Sequence, residues 1–127
     1  MAKYQKIKGS LGEKAVKEYI AGKGYNVIAE NYCIRGGEID LIAVYKDQLH
    51  FIEVKTRKSR DLYMGLESVD HNKQKRIIMA AVRFCSEHIS DLQPCFDVAL
   101  VCMEEGIVYS IDYCENAFDT SGFDLFI

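Results

Sequence analysis

Apolar residues recur at every fourth position near the start of this chain. Ile7, Leu11, Ala15 and Tyr19 line up, and Val16 and Ile20 widen the stripe. The spacing predicts an amphipathic helix over residues 6–21, ended by Gly22-Lys23-Gly24. Residues 25–31 read as a first strand. Gly37-Glu38-Ile39-Asp40-Leu41-Ile42 and Phe51-Ile52-Glu53-Val54-Lys55-Thr56-Arg57 then form the two arms of a hairpin. Residues 58–70 are polar and read as a loop. Residues 72–88 predict a second helix, with Ile77, Ile78, Ala81, Val82, Phe84 and Cys85, and the later Ile89, on its apolar side. Pro94 marks a break. Residues 96–103 and 107–113 read as strands around a Glu104-Glu105-Gly106 turn. The order α-β-β-β-α-β-β suggests one mixed sheet flanked by helices, an α/β fold. Residues 114–127 form a tail without a clear pattern, in which Phe118, Phe123, Leu125 and Phe126 could pack down.

The hairpin breaks its own apolar pattern. Asp40 lies in one arm, and Glu53 and Lys55 lie in the other, amid residues expected to be buried. With a Lys46-Asp47 loop, facing residues have numbers that sum to 93, which sets Asp40 opposite Glu53. Facing residues on paired strands have Cβ atoms about 5 Å apart, and like charges there repel. Glu53 and Lys55 share a face because a strand has a period of two. A one-residue slip would turn Asp40 to the other face. In this register, two carboxylates and an ammonium meet, and a divalent cation would relieve the repulsion.

Size and charge constrain the remaining possibilities. The 127 residues suit one domain, and almost half are apolar, which argues against disorder. No apolar run approaches the ~20 residues of a membrane span, and the basic start has no signal-peptide pattern. The five cysteines include no CxxC pair, which suits reduced thiols in the cytoplasm. The net charge of −3 conceals a division. Residues 1–83 hold 16 basic and 10 acidic residues, net +6, while residues 84–127 hold nine acidic and no Lys or Arg, net −9. The basic residues cluster at 3–8, 55–60 and 73–76, around the hairpin and its exit. Such clusters fit phosphate contacts or an ordinary solvated surface.

A pair of carboxylates and a lysine suits phosphodiester hydrolysis. Mg²⁺ or Mn²⁺ takes oxygen ligands and is commonly held by one or two carboxylates, with phosphate and water completing the shell. Asp40, Glu53 and the backbone carbonyl of Val54 are candidate ligands. Lys55 would orient the attacking water or stabilise developing charge. The competing reading is a surface salt bridge between Lys55 and one acid.

Glu13 has two readings. On a helical wheel it borders Val16 and Ile20, from where it could lean towards the metal. Ser10-Leu11-Gly12-Glu13 also fits a capping box, which requires the helix to start at Ser10. Glu38 is either a further metal ligand or an exposed strand-end charge. Arg57, Lys58, Arg60, Lys73 and Arg76 are candidate phosphate contacts. His50, His71 and His88 are scattered and suit structural or solvated roles. Asp97 suits a hydrogen-bonded supporting role.

Asp40 followed by Glu53-Val54-Lys55 resembles the signature of the PD-(D/E)XK nuclease superfamily. The fuller hairpin text resembles the YraN family of predicted bacterial endonucleases, itself similar to archaeal Holliday junction resolvases. Gly9, Gly12, Glu13, Gly24-Tyr25, Asn31, Lys73, Arg76 and Phe96-Asp97 extend the match over most of residues 9–101. The superfamily's Pro is Ile39 here. The resemblance implies a restriction-endonuclease-like α-β-β-β-α-β core and divalent-metal-dependent cleavage of DNA. It also implies Glu13, Asp40, Glu53 and Lys55 as active-site residues. The expectation is a single-domain endonuclease selective for DNA structure, such as branches or junctions, since a small domain has few means of reading bases. Resolving a junction takes two active sites, hence a homodimer. The rivals are a nucleic-acid-binding protein without turnover and a partner-binding scaffold on the same fold.

Overall fold

The computed structural model describes residues 2–58 and 69–123, with side chains from residue 11 onwards. Helix α1 (Ala2–Gly22) leads into β1 (Asn26–Ile34), β2 (Gly37–Tyr45) and β3 (Gln48–Arg57). Helix α2 (His71–Glu87) then crosses to β4 (Gln93–Glu104), and β5 (Ile107–Phe118) closes the chain of elements. The five strands form one sheet in the order β1-β2-β3-β4-β5. Only β3 and β4 run parallel, and α2 is the crossover that such a pair requires. The outcome is the mixed α/β sheet with flanking helices that the sequence suggested, consistent with a restriction-endonuclease-like fold.

Each helix covers one face of the sheet. Ile77, Ile78, Ala81 and Phe84 of α2 pack with Ile42, Phe51, Val98 and Leu100. Val16 and Ile20 of α1 pack with Leu41, Ala43, Ile52, Ala99 and Val101 on the other face. Each fully buried Ile or Leu contributes ~2 kcal/mol of burial free energy. Strands β3 and β4 are therefore apolar on both sides, as central strands should be.

Several elements depart from the sequence reading. The buried stripe of α1 is Gly12, Val16 and Ile20, while Leu11 is 41% exposed. Gly12 sets this rotation, because a Cβ there would lie 2.4 Å from Thr56 Oγ1 of β3. The missing side chain lets the helix settle on the strand. Helix α1 begins at Ala2, so Ser10 lies inside it and the capping-box reading of Glu13 fails. Ile89 lies past the end of α2 and is 95% exposed. Strand β1 continues to Ile34 through Asn31, which has a positive φ of 51°. Residues 114–118 extend β5 rather than forming a tail, and Phe118 stacks on Phe96 with ring centroids 5.3 Å apart. Most of the 58–70 loop, including Arg60, and the tail residues Leu125 and Phe126 lie outside the described residues.

Candidate active site

The β2–β3 hairpin turns at Lys46-Asp47 and pairs in the expected register, from Tyr45↔Gln48 to Leu41↔Ile52. There the ladder stops. Asp40 and Glu53 would be the next pair, but the Asp40 carboxylate itself accepts the Val54 N–H, at 2.8 Å. The strands thus fork, and a side chain fills the fork. Across Asp40, β2 also changes face: Ile39 packs on the α2 side and Leu41 on the α1 side. The Asn31–Asp40 pair is likewise skipped between Glu30↔Leu41 and Tyr32↔Ile39.

Glu53 lies in this fork with only 3% of its surface exposed. Its Oε2 is 3.3 Å from Lys55 Nζ and 3.3 Å from Lys73 Nζ. Its Oε1 is buried and has no hydrogen-bond partner among the described residues. The Asp40 carboxyl meets Glu53 directly. Burial, followed by the nearby Glu53 charge, pushes Asp40 up to about 8. Two facing carboxyls offer each other only lone pairs unless they share a proton or a cation.

Glu13 approaches from α1. Burial raises its carboxyl, a hydrogen bond with Asn31 opposes that shift, and the Glu53 charge reinforces it. The sequence match included Asn31 but gave it no role. Its left-handed backbone, in a strand otherwise rich in extended residues, is a conformation that Asn tolerates better than most residues. Lys73 arrives from the first turn of α2. Asp70 caps that helix, accepting the Lys73 N–H at 2.9 Å. An acidic residue just before the periodic stretch was a signal for that cap.

The structure therefore brings Asp40, Glu53 and Lys55 together and sets Glu13 and Lys73 beside them. Glu38 is an exposed strand-end charge, 3.8 Å from Lys73 Nζ. Arg57 ends β3, where its guanidinium donates to the Thr56 carbonyl at 2.9 Å. Lys58 and Arg76 are exposed.

His50 departs from its expected isolation. It is fully buried, and its Nδ1 lies 2.6 Å from Asp97 Oδ2. Asp97 also accepts the Tyr113 hydroxyl and, at 3.0 Å, the Asn116 N–H, so its supporting role holds. Burial and the neighbouring Asp97 charge push the Tyr113 hydroxyl well up. The sequence distance between His50 and Asp97 concealed this pair, because adjacent parallel strands joined it.

No group of three His, Cys, Asp or Glu side chains among the described residues could hold a metal ion unaided. A Mg²⁺ ion needs less, since one or two carboxylates with phosphate and water suffice. The orphaned Glu53 Oε1 and the crowded Asp40 carboxyl fit such an ion. The Val54 carbonyl leaves its strand on the same side as the N–H that reaches Asp40, so it faces the fork too.

The match to known proteins is extensive. A family profile described as "Uncharacterised protein family UPF0102" matches residues 12–101. The chain is 39% identical over 117 residues to a UPF0102 protein of Caldanaerobacter subterraneus subsp. tengcongensis, covering 90% of this chain and 96% of that one. It is 39% identical over 118 residues to one from Synechococcus sp. (strain JA-3-3Ab), covering 87% and 90%. A third, from Pelotomaculum thermopropionicum, is 34% identical over 120 residues, covering 93% and 100%. No helix among the described residues is long and apolar enough to cross a membrane.

Proposed function

The chain belongs to the uncharacterised protein family UPF0102, and from that premise we propose that it is a divalent-metal-dependent endonuclease that hydrolyses phosphodiester bonds in DNA. One observation carries the reading: two carboxyls meet in a forked sheet, with a buried Glu53 oxygen left unpaired and Lys55 lying 3.3 Å from the other oxygen of that carboxylate. A buried charged oxygen without a partner is costly, and such groups concentrate at functional sites.

Asp40, Glu53 and the Val54 carbonyl would hold the ion, with Glu13 reaching it through water. The ion, Mg²⁺ or Mn²⁺, would supply charge to a scissile phosphate and acidity to a water. Lys55 orients that water and offsets charge that develops on the phosphate. Arg57, Lys58 and Arg76 flank the fork and suit the neighbouring phosphates, with Arg60 as a further candidate from the sequence. These contacts read shape and backbone rather than bases, which favours branched or junction DNA. Junction resolution by this chain would use a homodimer, one site per strand.

The second reading is a binding protein without turnover, favoured by the two lysines that already neutralise Glu53 at 3.3 Å without any ion. The deciding experiment incubates the protein with Mg²⁺ or Mn²⁺ and a panel of branched, single-stranded and duplex DNA. Cleavage should appear, and should vanish in Asp40→Ala and Lys55→Ala while binding persists. Intact DNA throughout, with binding indifferent to metal, selects the binding protein.

A further inference from the structure

Glu53 Oε2 carries two ammonium groups, from Lys55 and Lys73, each at 3.3 Å. A divalent ion entering beside them adds two more positive charges to one carboxylate. The lysines differ in their freedom to leave. Lys55 is two residues from Glu53 on the same strand, and its side chain is 18% exposed. Lys73 comes from a different element, is 27% exposed, and already reaches Glu38 on its outer side at 3.8 Å. Its surroundings are also inverted for a helix start. The first turns of α2 hold His71, Lys73, Lys75 and Arg76 and no acid in the first turn, although the dipole there disfavours cations. Asp70 already caps the amides of this start, so a phosphate arriving there would meet the cationic side chains rather than free N–H groups.

We propose that Lys73 is an exchangeable counter-ion that couples metal binding to DNA binding, an inference that rests on the metal reading of the Asp40–Glu53 pair. Without metal it neutralises Glu53. When the ion takes Glu53, Lys73 swings outward to a DNA phosphate at the start of α2. With DNA bound, the phosphate gives the displaced Lys73 a new partner, so the ion replaces it on Glu53 more easily. Each ligand therefore strengthens the other, as linkage requires. Lys73 is a positioning residue in this scheme, not a catalytic one.

The test uses the full chain and three titrations: Mn²⁺ alone, branched DNA in EDTA, and branched DNA in Ca²⁺. In Lys73→Met, Mn²⁺ alone should bind roughly three- to tenfold tighter, because a competitor for Glu53 is gone. DNA affinity in EDTA should stay the same, since Lys73 is then tied to Glu53. The gain in DNA affinity on adding Ca²⁺ should shrink in the same proportion. Lys73→Arg, which keeps the charge and controls for folding, should behave like wild type. Lys75→Met, an exposed charge on the same turn, should move Mn²⁺ affinity far less. An ordinary phosphate lysine gives a different result: equal loss of DNA affinity with and without Ca²⁺, at unchanged Mn²⁺ affinity. That outcome, or equal behaviour of the Met and Arg variants, overturns the exchange. If wild type binds Mn²⁺ in an Asp40-dependent way and Lys73→Met matches it, only the exchange fails. If wild type binds no Mn²⁺, the metal reading fails with it.

Discussion

Asp40→Asn should make the metal-free protein more stable at neutral pH. Asparagine reproduces the protonated acid: its oxygen can accept the Val54 N–H, and its amide can donate to Glu53. It removes only the capacity to ionise. The Asp40 carboxyl moves from 3.8 to about 8 on folding, chiefly through burial and then through Glu53. A carboxyl whose value rises on folding binds protons as the chain folds. Wild-type stability is therefore full below pH ~4 and declines as pH climbs through the folded-state value near 8. About three units separate the ordinary value from pH 7, at about 1.4 kcal/mol each, so the ceiling is ~4 kcal/mol. Local relaxation and water entry ease a buried pair, which brings the expected gain to ~2 kcal/mol. For a chain of this size that is ~8 °C in Tm. The assay is thermal and urea unfolding of both proteins in EDTA from pH 4.5 to 8.5. The two curves should nearly coincide at the acid end and separate as pH rises. Adding Mg²⁺ should then raise wild-type Tm and leave Asp40→Asn unmoved, since a ligand stabilises only the state that binds it. Equal stability of the two proteins at every pH would refute the argument, because Asp40 would then ionise as an ordinary surface acid.

Two further outcomes test the scaffold around the site. Asp97→Ala leaves the His50 ring, the Tyr113 hydroxyl and the Asn116 N–H without their shared acceptor, and should lower stability by ~3 kcal/mol in urea unfolding; a loss below ~1 kcal/mol means that water replaces the carboxylate. Gly12→Ala should destabilise the protein alone, because its Cβ would meet Thr56 Oγ1 at 2.4 Å. In a Thr56→Ala background the same change should turn neutral or favourable by up to ~1 kcal/mol, the helix-propensity gain of Ala over Gly, and additive effects in the double-mutant cycle would mean that the two elements do not touch there.

The hairpin was legible because its information is local. A period of two fixes which side chains share a face, and the two-residue turn at Lys46-Asp47 fixes the register, so Leu41↔Ile52 followed from counting. The pairing stops short of Asp40 and Glu53, so the two carboxyls meet at the fork rather than as the facing ladder pair that counting predicts. Helix and strand types and the mixed sheet followed from periodicity and element order, while the parallel pairing of β3 with β4 came from the structure. Tertiary structure decided whatever depends on how one element meets another. The α1 stripe turned by one position because Gly12, not Leu11, fits against Thr56. Asp40 reached the Val54 amide because the strands fork where their charged pair would have faced. Lys73 met Glu53, and His50 met Asp97, across sequence gaps that no periodic pattern spans. Side-chain spacing along one element encodes a face, whereas the partner of that face is set by packing the whole sheet between two helices.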